Sequence, residues 1–236
     1  MLKILNEVIN LNDSVEINKL ALIRIRRFLG NYKSDNNINQ LKYESDVYYP
    51  LQWNKKIDKP DILMMTSDIN GSDYTASKIE KICNNNAKNV ATYLSSIKDI
   101  PNYNHTIESA KIIKNINGIG IIYRLRSSKL YGISSREFML FHNLYYCKDE
   151  ESYYVYSTSI NNESINKKYG NDDCVRGNII ITGFYIKEIS QNKCHVTAIS
   201  HVELNGNIPT IAINNLIDND TVKILTKGIQ EAEKYS

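Results

Sequence analysis

An α+β fold, an antiparallel sheet closed by one long C-terminal helix, is predicted by three features of this 236-residue sequence. From Thr106 to Glu203 the chain is almost wholly of β type. Turn residues separate consecutive runs at hairpin distances, as adjacent antiparallel strands require. After Glu203-Leu204-Asn205-Gly206-Asn207-Ile208-Pro209 the period becomes helical and stays so to Lys234. Gly206 gives that turn backbone freedom, and Pro209 suits the first turn of a helix, where its missing N–H leaves nothing unpaired. Ile208, Ala212 and Leu216, then Val222, Leu225 and Ile229, form the helix's apolar stripe, loosened near Asp218-Asn219-Asp220.

The earlier chain is read in order. Residues 1–13 form a short lead, helical and weakly attached. Ser14 is a candidate cap for a helix from Val15 to Leu29, ended by Gly30. Leu20, Ile23 and Ile25 give it apolar weight, and Arg24, Arg26 and Arg27 make its polar side basic and solvated. Asn31 to Gln40 is a polar loop. Tyr43 to Trp53 is β-like, with Pro50 demoting its middle to an edge or bend. Pro60 to Asp68 is a strand and Asn70-Gly71-Ser72 a turn. Ala76, Ile79, Ile82 and Cys83, then Val90, Ala91, Tyr93, Leu94 and Ile97, read as two helices broken at Asn84-Asn85-Asn86 and ending before Pro101. Six strands follow: Thr106–Asn115, Gly118–Arg126, Arg136–Cys147, Tyr153–Ile160, Arg176–Ile189 and Lys193–Glu203. No repeat and no Pro/Gly/Ser linker divides the chain, so residues 1–236 are read as one domain.

Bulk properties exclude several classes. A hydrophobic content of 42% suits an ordinary core. A net charge of +3, with no Lys/Arg block interleaved with aromatics, gives no footprint for a nucleic acid. Cys83, Cys147, Cys174 and Cys194 lie far apart without a C-x-x-C pair, which fits buried reduced thiols and a cytoplasmic protein. Asn6, Glu7, Asn10 and Asp13 interrupt any signal-peptide core. No apolar run approaches the ~18 residues of a membrane span. His105, His142, His195 and His201 lack metal-type spacing, G-x-S-x-G is absent, and Gly118-x-Gly120 is half a nucleotide fingerprint without its helix. No catalytic residue, cofactor or metal is therefore expected.

An ordered set of short motifs carries more information. Arg136-Glu137-Phe138 opens a strand, Val175-Arg176 opens another, Gly183-Phe184-Tyr185 lies within it, and Glu203-x-x-Gly206-x-x-Pro209 precedes the last helix. Tyr103-Asn104 follows the second helix. Together they resemble the START (StAR-related lipid transfer) domain family from Pro60 onward, whereas residues 1–40 match it poorly. The resemblance implies a helix-grip fold, with a curved antiparallel sheet wrapped around the C-terminal helix and a lipid tunnel between them. It also implies an omega loop at the tunnel mouth, here Ser127 to Ser135, with Leu130, Tyr131 and Ile133 as gate residues.

Strand alternation then selects the tunnel lining. Tyr123 and Leu125 are expected to face inward, with Arg124 and Arg126 outward. Phe138, Leu140 and His142 follow on the next inward register, then Ile180 and Thr182, with Ile211, Ala212 and Leu216 from the closing helix. The acid–arginine pair of sterol-binding relatives is missing: His142 takes the arginine position, and the acid position falls near Tyr123 or Leu125. The aromatic cage of choline-lipid relatives is incomplete, with Tyr123 and Phe138 matched but Ile180 third and Ile100 at the phosphate-binding arginine. The expected partner is one lipid, a phospholipid or other two-chain lipid in preference to a sterol, exchanged at a transient membrane surface by a monomeric, non-enzymatic cytoplasmic protein peripheral to membranes. The alternatives are a lipid-responsive sensor and a small-molecule enzyme on the same scaffold.

Overall fold

A computed structural model describes residues 11–30, 51–129, 132–170, 173–208 and 210–235, with backbone only for 11–12 and 210–219. Its elements in chain order are α1 (Leu11–Leu29), β1 (Asn54–Lys59), β2 (Ile62–Ser67), β3 (Ala76–Cys83), α2 (Ala87–Leu94), α3 (Ile100–Tyr103), β4 (Ile107–Ile116), β5 (Gly120–Ser127), β6 (Arg136–Cys147), β7 (Ser152–Ser159), α4 (Glu163–Tyr169), β8 (Val175–Arg176), β9 (Asn178–Ser190), β10 (Lys193–Glu203) and α5 (Thr210–Glu233). The strands form one sheet in the order β1-β2-β3-β10-β9-β7-β6-β5-β4, antiparallel throughout except that short β8 joins β6 in parallel. This is the helix-grip arrangement: α2, α3 and α5 lie against the inner face, and α1 lies against the outer one.

The six strands from Ile107 onward fall within a residue or two of their expected positions, except that the Arg176 run is divided into β8 and β9. Upstream, expectations are overturned in β3 and in α1. Ala76 to Cys83 is strand β3 and not a helix, paired with β2 on one side and β10 on the other. As an interior strand it is apolar on both faces: Ala76 joins the outer core, and Ile79 and Cys83 join the inner clusters. Apolar residues drawn from two faces imitate a helical period. Strand β1, which is mostly charged, and the seven-residue α4 carry too little periodicity to be seen in the sequence.

Asn84-Asn85-Asn86 does not separate two helices. Asn86 caps α2, its side chain accepting from the Asn89 backbone N–H at 2.8 Å. Asn85 Nδ2 donates to the Ala232 and Tyr235 carbonyls at 2.9 and 2.7 Å, and the Asn84 N–H donates to Glu233 at 2.9 Å. These bonds bolt the C-terminal end of α5 to the sheet side of the molecule. Cys83 and Cys194 face each other across β3 and β10, fully buried beneath Ile229 and Ala232.

Helix α1 departs from expectation in two ways. Ser14 sits inside the helix, buried, and not at its cap. The basic side turns toward the sheet: Arg24 Nη1 donates to Thr158 Oγ1 and to the Ile180 carbonyl at 3.2 and 3.4 Å. Arg26 Nη2 meets Glu150 Oε1 at 3.3 Å and lies over the Tyr154 ring. Ala21, Ile25 and Phe28 are the buried stripe.

Candidate functional site

Alternation on the central strands aims one side chain in two at the space under α5, and the helix does not fill it. A cavity of about 320 Å³ remains, lined by β4–β7, β9 and β10, by α2 and α3, and by Asp220, Thr221, Ile224 and Leu225 of α5. Its size lies at the low end of the ~300–1,000 Å³ of small-molecule sites, and its walls are mostly apolar.

Of the residues expected there, Tyr123, Leu125, Phe138, His142 and Thr182 line the cavity. Leu140 shares their register but is wholly covered, packed among Ile97, Ile107, Tyr123 and Ile179 behind the wall. Ile180 is displaced by a bulge: Ile181 pairs with His201 and Ile179 with Val202, so Ile180 is the extra residue. The bulge turns Ile179 into the cavity in its place, while the Ile180 carbonyl accepts from Arg24 and Thr158 on the outer side. Ile100 lines the wall through α3. The side chains of Ile211, Ala212 and Leu216 lie outside the described residues, although α5 covers their positions. Leu130 and Tyr131 are also outside the described residues, and Ile133 lines the cavity mouth with Ser134.

The polar content is concentrated in one relay. Tyr123 Oη donates to Ser157 Oγ at 3.1 Å, and Ser157 Oγ lies 3.0 Å from His142 Nδ1. The Tyr123 and His142 rings meet edge to face with centroids 6.0 Å apart. Burial pushes the Tyr123 phenol well above its usual range, and it pushes His142 down to about 4, the Ser95 backbone beside it opposing. At neutral pH both rings are therefore uncharged. Ser157 went unnoticed in the sequence, yet the same alternation that places Tyr153 and Val155 inward reaches it two residues later.

Arg136 also lines the cavity, and four of its five N–H groups are engaged. Nε donates to the Leu204 carbonyl at 3.1 Å, Nη2 to the Asn205 carbonyl at 2.9 Å, and Nη1 to the Ser134 carbonyl and hydroxyl at 2.6 and 2.8 Å. Asn205 and Gly206 both adopt left-handed backbone (φ 52° and 78°), which delivers those carbonyls. An added Cβ at Gly206 would stand 3.2 Å from Arg136 Nη2, so glycine keeps the approach open. At the opposite wall the Asp220 carboxylate lies 3.7 Å from His105 Nε2 and 3.8 Å from Lys223 Nζ.

Comparison with known proteins agrees with this geometry. The START domain model matches residues 50–234, leaving α1 outside the match. Human StAR-related lipid transfer protein 5 superposes with a TM-score of 0.73 at 12% identity, covering 94% of this chain and 96% of that one. Human STARD10 gives 0.68 at 15% identity, covering 86% and 82%. A fragment of the STAR-related lipid transfer protein from Xanthomonas axonopodis gives 0.64 at 15% identity, covering 76% and 98%. No curated protein matches the sequence.

Proposed function

Because this chain belongs to the START domain family, we propose that it takes up a single lipid in the cavity beneath α5 and carries it between membrane surfaces as a monomer. The observation that carries the proposal is the apolar space of about 320 Å³ left between sheet and helix, where a packed core would otherwise be. A lipid in water costs roughly 0.8 kcal/mol per exposed CH₂, and a closed apolar chamber removes that cost. Among the described residues no helix is long and apolar enough to cross a membrane, which is compatible with a carrier that visits the surface.

Entry is assigned to the loop at Ile133–Ser134 and to the start of α5. Arg136 holds the two together, while the Asn85 and Asn84 bonds fix the other end of the helix. A non-catalytic role is favoured because a histidine near pKa 4 is a weak base at neutral pH and a raised tyrosine a weak acid. For the two-chain phospholipid expected from the sequence, the one arginine or lysine among the described lining residues is Arg136, four of whose five N–H groups bond the Leu204, Asn205 and Ser134 oxygens.

Native mass spectrometry of the purified chain, paired with transfer between donor and acceptor vesicles, tests the proposal. A one-to-one lipid adduct and accelerated transfer are expected. An adduct without transfer would favour a sensor, and neither adduct nor transfer would reject lipid binding altogether.

A further inference from the structure

We infer that the cargo carries hydroxyl, ester or ketone oxygens on its inner segment, where a row of hydroxyl side chains crosses the cavity floor and pairs with them. This rests on the carrier reading above and adds the chemistry of the lipid.

The Tyr123–Ser157–His142 relay is one end of a longer polar row. Directly opposite residues on antiparallel strands share a face, so the row can be followed from strand to strand. His142 pairs with Ser157, Ser157 with Thr182, Thr182 with Ser200, Ser200 with Ser77, and Ser77 with Thr66. It crosses β6, β7, β9, β10, β3 and β2 without a break. All of it except Thr66 lines the cavity. The parallel row two residues away, toward the β6–β7 turn, reads Leu144, Val155, Phe184, Ala198, Ile79 and Met64, and it is wholly apolar. On the mouth side Val202, Ile179 and Leu140 are apolar again. The hydrogen-bonding groups of the floor thus sit at one depth, between two greasy bands.

The members of the row differ in what they have left to offer. At one end Ser157 receives the Tyr123 hydroxyl and faces His142, whose ring is also bonded by the Ser95 backbone. In the middle, Thr182 Oγ1 reaches only the Ile199 carbonyl, at 3.4 Å. The Ser200 and Ser77 hydroxyls bond no other described residue. Ser200 and Thr182 are half-buried, and both line the cavity, so they remain open to a ligand.

A lipid entering this space excludes water from these hydroxyls. A bare methylene segment laid over them leaves each without a partner, which is unfavourable. A segment bearing hydroxyl, ester or ketone oxygens meets them, because a serine hydroxyl both donates and accepts. The row therefore selects by penalising hydrocarbon at its level as well as by attracting oxygen. His142 lies six residues beyond Arg136 on β6, roughly 20 Å along an extended strand. What the row reads is the inner part of the cargo, far from the Arg136 clasp at the mouth.

The test uses the full chain and two lipids with one hydrocarbon chain, monoolein and octadecene, each displacing the apolar dye diphenylhexatriene. Wild type is expected to prefer monoolein about tenfold or more. The double variant Ser77→Ala with Ser200→Ala, folded by circular dichroism, is expected to keep dye affinity and to lose about fivefold or more of that preference. Comparing preferences between proteins cancels the different solubilities of the two lipids. Thr66→Val, in the row but outside the cavity, is expected to keep the wild-type preference. Equal displacement by both lipids, or by neither, overturns the inference and leaves the carrier reading intact. An unchanged preference in the folded double variant also overturns it, as does an equal loss in Thr66→Val. No uptake of dye or lipid by the wild type rejects both readings. If the double variant does not fold, Thr182→Val, which keeps the shape and removes the hydroxyl, takes its place. A reduced preference then supports the inference, and an unchanged one overturns it.

Discussion

Arg136 donates from Nη2 to the Asn205 carbonyl at 2.9 Å while its Nη1 holds Ser134, so one guanidinium ties the loop before β6 to the turn before α5. Arg136 is 3% exposed, so the carbonyls it serves lose a buried donor when it is removed. Its planar fork reaches three backbone oxygens at once, which a lysine ammonium on a flexible stem cannot reproduce. Arg136→Lys is expected to cost about 2 kcal/mol, seen as a drop of about 4–8 °C in melting temperature. It should also speed release of bound lipid in stopped-flow exchange, because the same bonds close the mouth. An unchanged release rate in a destabilised protein would confine Arg136 to a structural role.

Ile224 projects from the described half of α5 into the cavity wall, half-buried, opposite the sheet. Replacing it with tryptophan puts an indole into a space of about 320 Å³ that holds no side chain now. Filling an existing void imposes less strain than overpacking a closed core, where extra methylenes cost about 1–3 kcal/mol. Ile224→Trp is therefore expected to keep the wild-type melting temperature within a few degrees and to lose most lipid uptake. Normal uptake by the folded variant would place the cargo elsewhere.

How much of this was legible beforehand depends on which physical signal each part carries. Strands β6 and β10 match their expected limits because turns such as Lys148-Asp149-Glu150-Glu151 punctuate their long β-type runs, even though β6 is buried on both faces, and strand alternation then sorts its side chains between them. Tyr123, Phe138 and His142 came from that same alternation. Ile180 failed because a bulge inserts one residue, and nothing in Asn178-Ile179-Ile180-Ile181 distinguishes which isoleucine is the extra one. Strand β3 failed because burial on two faces erases the period. The Arg136 clasp was invisible because it depends on where the Asn205 and Gly206 carbonyls point, a property of backbone angles and not of residue type.

Stability should fall as the solution is acidified through the range in which His142 gains a proton only when unfolded. An unfolded histidine titrates near 6.5, whereas burial holds His142 at about 4 in the folded chain. Between these values the unfolded state binds more protons, so stability is intact above about pH 6.5 and declines as pH drops toward 4. The groups facing the ring are Tyr123 of β5 and Ser157 of β7, both uncharged in this range, with the Ser95 backbone from the end of α2. The loss is at most about 3 kcal/mol. His201 is also lowered by burial and adds to the slope with the same sign. In urea melts at pH 7 and 4.5, His142→Gln should flatten the difference without abolishing it. A variant with the full wild-type pH dependence would show that His142 is not the titrating group.

Helix α1 stands behind the cavity and not beside it. Ile25 is fully buried on the outer face, over Gly183 of β9, where an added Cβ would lie 3.1 Å from Ile25 Cδ1. Gly183 itself borders the cavity, and Arg24 one residue earlier holds the Ile180 carbonyl of the bulge that turns Ile179 inward. Packing on one side of the sheet thus fixes the shape of the wall on the other. Ile25→Ala removes buried methylene and methyl groups from a cluster containing Phe28, Met139 and Tyr156, and is expected to cost about 2–4 kcal/mol in urea unfolding. Because the bulge loses its backing, lipid affinity should fall together with stability, measured well below the melting temperature. If α1 were only an appendage to residues 50–234, the span that the family model matches, Ile25→Ala would leave both the urea midpoint and the affinity where they are.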